Sequence, residues 1–340
     1  MRRRVFIGGV LGGVLAGPLW GEERERHYRI ATAGTGGTFY PVGVGIAALA
    51  SLHLAREYGL TFDALTSQGS VENVRLLEEG RADFAILQAL VGSMARHGTG
   101  CCRGRPVPSL RAVTALWKNV EQFVVRREAV TGTNIEALQE MSGRPFSMGG
   151  RESGSRISGE TILDALGIDY RKFRLRYLGY DASVEGMIHG KIQGVNIPAG
   201  VPTAALSRLY SALGARAVRI LDFDDAQLER VREAYPVWSR FVIPRGSYPG
   251  LERDVPTIAQ PNFLACTRRV SAKTVYLLTR SIYENLPFLA SIHRVTRSMM
   301  LERALEGLPV PLHPGALRFY RERGIVIPRH LIPEEERRRG

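Results

Sequence analysis

Three short turns hold the residues whose type and spacing suit chemistry. Gly36-Gly37-Thr38, Gln68-Gly69-Ser70 and Ser153-Gly154-Ser155 each set glycine and a hydroxyl where an apolar, strand-like run passes into a helical one. The first N–H groups of a helix have no intrahelical partner and carry partial positive charge, so such a start attracts a carboxylate or phosphate. In an open α/β sheet these turns gather at the carboxyl ends of the strands, where ligands bind. Each turn taken singly has a plainer reading, with Ser70 and Ser155 as helix N-caps. Three of one kind suggest one crevice. The first is not a dinucleotide fingerprint, because Phe39 stands where the third glycine belongs, and no Gly-Lys-Ser/Thr follows to make a P-loop.

Catalytic arrangements are poorly supported. The chain contains neither G-x-S-x-G nor H-E-x-x-H, and its seven histidines are scattered. His313 sits in a proline-bounded loop and reads as structural. Asp222, Asp224 and Asp225 lack the ligand loop of a calcium site and read as a solvated helix start. Cys101, Cys102 and Cys266 make an odd count. Either one of the adjacent pair bridges to Cys266, or all three are free thiols. Zinc spacing is absent, and no cofactor is expected.

The elements that must position these turns follow from periodicity. Between Tyr28 and Leu116 short apolar runs alternate with helical ones: strands near Arg29–Ala33, Leu60–Thr66, Asp83–Leu87 and Leu110–Leu116, with helices from Tyr40 and from Ser70. Alternation of this kind predicts a parallel sheet covered by helices. A second unit of the same character begins near Trp117 and runs to about Pro244, with a helix around Asn134–Met141 and another, Ile157–Leu166, that follows Ser153-Gly154-Ser155. Beyond it, Pro256–Gln260 and Phe263–Thr267 read as paired strands. Ser271–Asn285 and Pro287–Leu305 read as helices, and a proline-bounded loop precedes a last short helix.

A chain of 340 residues, 44% hydrophobic, buries a sizeable core and commonly makes two domains. Residues 1–21 read as a cleaved export signal: Arg2-Arg3-Arg4 precede an apolar stretch too short for a comfortable span, and Arg3-Arg4 is similar to a twin-arginine signal. The formal charge is +13, and the loss of Arg2, Arg3 and Arg4 leaves +10 on the mature chain. Its arginines are dispersed among glutamates, as in Arg24-Glu25-Arg26, without the basic stripe and interleaved aromatics of a nucleic-acid surface. Nucleic acid is therefore not an expected partner.

The run GTGGTFYPVG (residues 34–43) resembles the opening motif of the TAXI-type solute receptors of tripartite ATP-independent periplasmic (TRAP) transporters. GSVENVRLLEEGRADFAILQ, ESGSRISGETILDALGI, MIHGKIQGVNIPAGVPTAAL and PVPLHPGALRFYRERGI are similar to later motifs of that family, in order along the mature chain. The resemblance implies an α/β, type II-like periplasmic binding protein whose two lobes, each a mixed sheet flanked by helices, close on a ligand. It places lobe I at residues 28–117 with 244–340, and lobe II at 118–243. It implies a monomeric, non-enzymatic receptor in the periplasm that passes a small carboxylate, such as glutamate or 2-oxoglutarate, to ion-gradient-driven permease subunits. A sensory receptor feeding a membrane kinase and an enzyme in the same cleft are the alternatives. Expected ligand contacts in lobe I are Thr35, Gly37, Thr38, Phe39, Tyr40, Gln68, Ser70, Asn73 and Gln88. Lobe II should add Ser153, Gly154, Ser155, Arg156, Asn196 and Gly200. Leu90, Glu152 and Gln193-Gly194 depart from the family pattern near this cleft.

Overall fold

The computed structural model describes residues 25–337, so the expected export segment lies outside the described residues. The first four strands are β1 (Arg26–Ala31), β2 (Leu60–Leu65), β3 (Phe84–Gln88) and β4 (Leu110–Val120). The next five are β5 (Phe123–Arg126), β6 (Pro145–Ser147), β7 (Arg174–Arg176), β8 (Gly194–Asn196) and β9 (Val218–Ile220). They form a separate sheet in the order β7-β6-β8-β5-β9. The last two, β10 (Ser239–Ile243) and β11 (Val255–Thr267), return to the first sheet. Its order is β10-β11-β3-β1-β2, with β4 also on β11. In both sheets parallel pairs (β1 with β2 and β3, β6 with β7 and β8) meet antiparallel ones made by β11 and β5. The chain thus crosses between sheets at Glu121-Gln122 and comes back before Ser239.

Sequence explains the layering. All five residues of β3 are buried, as an unbroken apolar run must be when helices cover both faces of its sheet. The first-sheet helices are α1 (Phe39–Tyr58), α2 (Ser70–Glu78) and α3 (Ala89–His97). The middle segment supplies α4 (Gly154–Ala165), α5 (Tyr180–Ile188), α6 (Ala204–Leu213) and α7 (Asp225–Ala234). The C-terminal part adds α8 (Ala272–Glu284), α9 (Leu286–Ile292) and α10 (Pro314–Glu322), and α8 packs against α1 and α10. Asp224 and Gln227 close a capping box on α7, so the aspartate cluster is a helix start.

Several expectations change. The two strands expected over Pro256–Gln260 and Phe263–Thr267 are one, β11, thirteen residues long. Pro261 interrupts it without ending it, because the register against β4 shifts beside Pro261 and that irregularity absorbs the missing N–H. β10, assigned to the middle segment, pairs with β11 in the first sheet. Helix α3 follows β3 directly, where no helix was expected. The helix expected over 287–305 stops at Ile292. His293 is extended, and its ring accepts the Val295 N–H, leaving short 3-10 turns. Ser70 does not cap α2: its Oγ accepts the Gln88 N–H at 3.0 Å instead. The cysteines are all free, Cys266 lying buried on β11.

His313 is structural, as its loop suggested. It is 2% exposed, its Nδ1 accepts the Gly315 N–H at the start of α10, and its Nε2 lies 3.0 Å from the Val270 carbonyl. Burial pushes the imidazole down to about 4. A histidine depressed in the folded state stabilises above its ordinary value, and that contribution is lost as pH falls. The melting temperature should therefore drop between about pH 6.5 and 4, and His313→Gln should flatten that part of the profile. Thermal melts of both proteins across this range check it.

Candidate functional site

Four strand-to-helix turns meet between the two sheets. The first sheet contributes Thr35–Phe39 at the start of α1 and Gln68–Ser70 at the start of α2. The second contributes Ser153–Ser155 at α4 and Gly179–Asp181 at α5. They line a cavity of about 410 Å³. Each turn follows a strand whose carboxyl end points into the crevice, so the N-termini of four helices face one volume. The first N–H groups of these helices have no intrahelical acceptor. Their partial positive charge acts in a space walled by protein, where screening is weak.

The hydroxyls are placed by buried contacts. Ser153 is the N-cap of α4, accepting the Arg156 N–H at 3.2 Å. Ser155 lies inside the helix, 2.8 Å from the hydroxyl of Tyr180, which donates to the Pro198 carbonyl. The Ser155 hydroxyl therefore donates to Tyr180. Burial raises the Tyr180 phenol well above its ordinary range, so it remains a neutral partner. Ser70 is 1% exposed, and its O–H remains available because the Gln88 contact uses only a lone pair. Gln88 is 3% exposed and its Oε1 has no partner. A buried amide oxygen without a donor is costly, so this atom suits an N–H or O–H of a bound molecule.

The lobes touch on both sides of the cavity. The Thr203 hydroxyl donates to the Gly36 carbonyl at 3.0 Å, and the Gly200 N–H donates to Thr38 Oγ1 at 3.2 Å. Opposite, the Glu72 N–H donates to the Glu152 carbonyl at 3.1 Å, and Arg75 pairs with the Glu152 carboxylate at 3.0 Å. Glu152, noted as a departure from the family pattern, is thus an interlobe clamp. Gly154 makes the approach possible: a Cβ there would stand 2.4 Å from Gln88 Oε1 and 3.0 Å from Ser70 Oγ.

The structure brings Thr35, Gly37, Thr38, Phe39, Gln68, Ser70, Gln88, Ser153, Gly154 and Ser155 onto the cavity wall. The other five candidates are placed elsewhere. Tyr40, one residue past Phe39 on the first turn of α1, is off the wall. Asn73 ties α2 to the sheet, donating to the carbonyls of Thr32, just past β1, and Ile86 on β3. Arg156 is taken by Glu160 at 3.0 Å and by the Arg151 carbonyl, which keeps its guanidinium off the wall. Asn196 lies behind α4 with its Nδ2 on the Ser155 carbonyl, and Gly200 serves the interlobe contact. Tyr177, Tyr180 and Asp181 line the cavity and were not singled out. The signal was present, since Leu178-Gly179-Tyr180 is a fourth strand-glycine-helix junction. Among the described residues, Asp181 is the one charged side chain on the wall. It accepts from Thr35 and pairs with Arg208 at 3.5 Å, at a helix start that favours its charge. Among the described residues, no cluster of histidine, cysteine or acids has the makings of a metal centre.

Two mixed sheets flanked by helices, with a helix-start cavity between them, define the two-lobe periplasmic-binding-protein fold. The chain belongs to the NMT1-like family, whose model matches residues 30–324. A solved protein of Bordetella bronchiseptica RB50 shares the architecture at 15% identity, over 92% of this chain and 86% of that one, with a TM-score of 0.52. The alkanesulfonate-binding protein SsuA of Xanthomonas axonopodis pv. citri, solved bound to MOPS, aligns over 92% and 98% at 14% identity with a TM-score of 0.45. The periplasmic aliphatic sulphonate binding protein SsuA of Escherichia coli aligns over 91% and 96% at 15% identity, again with 0.45. At these identities the likeness is one of fold.

Gly154 gives a direct test of closure. Gly154→Ala should prop the lobes apart by pushing on Gln88 and Ser70, so small-angle scattering should give a larger radius of gyration than the parent's under the same conditions. An unchanged radius would mean that Gln88 swings aside and the glycine is not what lets the lobes meet.

Proposed function

We propose that the mature chain is a periplasmic receptor that captures a small carboxylate between its lobes and delivers it to TRAP-type permease subunits. The convergence of four helix N-termini on one interlobe cavity carries this reading. Such a site stabilises a negative charge with backbone dipoles and hydroxyls, without an arginine. The volume falls in the range usual for small-molecule sites, and the unpartnered Gln88 oxygen suits a ligand that also carries a donor, as an amino acid does. The motif resemblance to TAXI receptors supports the carboxylate class, the permease partner and export through the segment over residues 1–21.

The reading makes residue-level demands. Ser70→Ala removes a free hydroxyl from the wall, and Ser155→Ala releases Tyr180 from its partner. Hydrogen bonds to charged groups are worth about 1.5–3 kcal/mol, so Ser70→Ala should weaken binding by roughly one to two orders of magnitude. Ser155→Ala, whose hydroxyl is spent on Tyr180, acts only through the position of that ring and should cost less. Arg156→Gln should bind like the parent, because that guanidinium is engaged by Glu160. A thermal-shift screen of organic acids and amino acids identifies the ligand, and calorimetry on the three variants follows. Parent-like affinity in both serine variants, or loss in Arg156→Gln, would move the anion away from these helix starts.

A ligand bound between lobes favours the closed form, so its addition should reduce the radius of gyration in solution. Loss of solute uptake on deletion of the gene would support delivery to a permease, and unchanged uptake would count against it.

A further inference from the structure

Glu121 sits at the crossing from β4 to β5 and is fully buried. Its backbone is fixed on the first sheet: its N–H donates to the Ile258 carbonyl at 2.9 Å, and its carbonyl accepts the Thr257 hydroxyl at 2.8 Å. Its side chain turns to the other lobe. Oε2 accepts the Ser158 hydroxyl of α4 at 3.3 Å, and the Asn196 side chain of β8 and the Gln260 side chain of β11 lie beside the carboxyl. The Ser158 hydroxyl is shared with the Ser155 carbonyl at 3.2 Å, and that carbonyl also accepts from Asn196 Nδ2 at 3.2 Å. The carboxyl therefore stands directly behind the first turn of α4, on the side away from the cavity.

Glu121 Oε1 has no hydrogen-bond partner, and of the two amides beside the carboxyl Asn196 Oδ1 and Gln260 Nε2 have none either. A neutral acid offers an O–H to acceptors around it, while an ionised one has only neutral amide and hydroxyl donors to offset the loss of water. The groups facing Glu121 carry no compensating charge: Ser158 on α4, Asn196 on β8 and Gln260 on β11 are neutral, as are Asn119 and Gln122 on its own segment. Tyr180 on α5 is the titratable neighbour, and it too is neutral. Burial accordingly pushes the Glu121 carboxyl up to about 8.

Resting on the anion-capture reading above, we infer that Glu121 is a proton-operated positioning residue. As a neutral acid it braces the α4 turn for an anionic ligand, and when ionised it sets a negative charge behind that turn and opposes both closure and capture. The sign follows from linkage. An acid that holds its proton more tightly in the folded than in the unfolded chain stabilises the fold most at low pH, and that contribution is lost as pH rises from its ordinary value near 4.5 to about 8. An anion bound beyond the turn tightens the proton further, so capture takes up a proton near and above pH 8, where the unliganded protein begins to ionise.

The mature protein and Glu121→Gln, which keeps the shape and removes the charge, are compared in two measurements. Without ligand, the two melting temperatures should be closest near pH 5, and the variant should gain on the parent steadily up to about pH 8. With L-glutamate and 2-oxoglutarate as probes, calorimetry should show parental affinity level up to about pH 7 and about tenfold lower at about pH 9, with proton uptake at the upper end visible from buffers of different ionisation enthalpy. The variant should show neither effect. If Glu121→Gln does not fold, Ser158→Ala keeps the acid but removes a donor that favours its charge, and the melting profile should move to higher pH. A pH-independent gap between the melting curves overturns the buried proton. Parental binding that ignores pH overturns the coupling while leaving anion capture standing. If neither probe binds at any pH, the anion reading fails and the coupling falls with it, even where the melting curves show the proton.

Discussion

The structure depends on how β11 is held. Its thirteen residues pair with β3, β10 and β4 in the first sheet, and its first half, through Val255 and Ala259, packs into the apolar cluster of the second. Strand β4 lies along it and continues through Glu121-Gln122 into β5. A buried crossing must satisfy each peptide group it carries. Here Ile258 and Thr257 do so for Glu121, and the Gln122 carbonyl accepts the Ile197 N–H, while the Gln122 side chain donates to the Ile197 carbonyl and accepts the Tyr248 hydroxyl. The crossing is consequently polar and buried, with Glu121 and Gln122 fully out of solvent.

That construction explains the site. With the crossing fixed, the carboxyl ends of strands from both sheets face one another, and the helices that follow them begin at the cleft. No basic side chain is needed on the wall, because four helix starts supply positive potential without the desolvation cost of a buried guanidinium. It also explains the position of Asp181. On the first turn of α5, with Thr35 and Arg208 as partners, an acid can sit at the rim of a positive cavity. Closure relies on small residues and short polar contacts, with Gly154 fitted against Gln88 and Gly36 receiving Thr203. Contacts of this sort form and break cheaply.

Much of this was legible in the amino-acid sequence. Alternating strand and helix patterns, glycine and hydroxyl at the turns and the placement of the capping residues are local properties, and they locate β1 to β3, α1, α2, α4, α7 and α8 and three of the four cavity turns. Local signals also misled in particular places. Pro261 looks like the end of a strand, and only pairing with β4 shows that a register shift accommodates it. Ser70 looks like a cap until β3 brings the Gln88 N–H to it. Arg156 looks like an anion ligand until Glu160, one turn on, claims it.

Periodicity and turn chemistry by themselves determined the class of fold and the kind of contact the crevice offers, because both depend on neighbours in the chain. Tertiary structure decided the rest. It set which hydroxyls remain free, which glycine lets the lobes meet, and that Glu121, an unremarked acid in the stretch Asn119–Phe123, is walled off from water behind α4. Burial and partnership are properties of residues far apart in sequence, and the titration of a carboxyl is governed by those properties rather than by its neighbours along the chain.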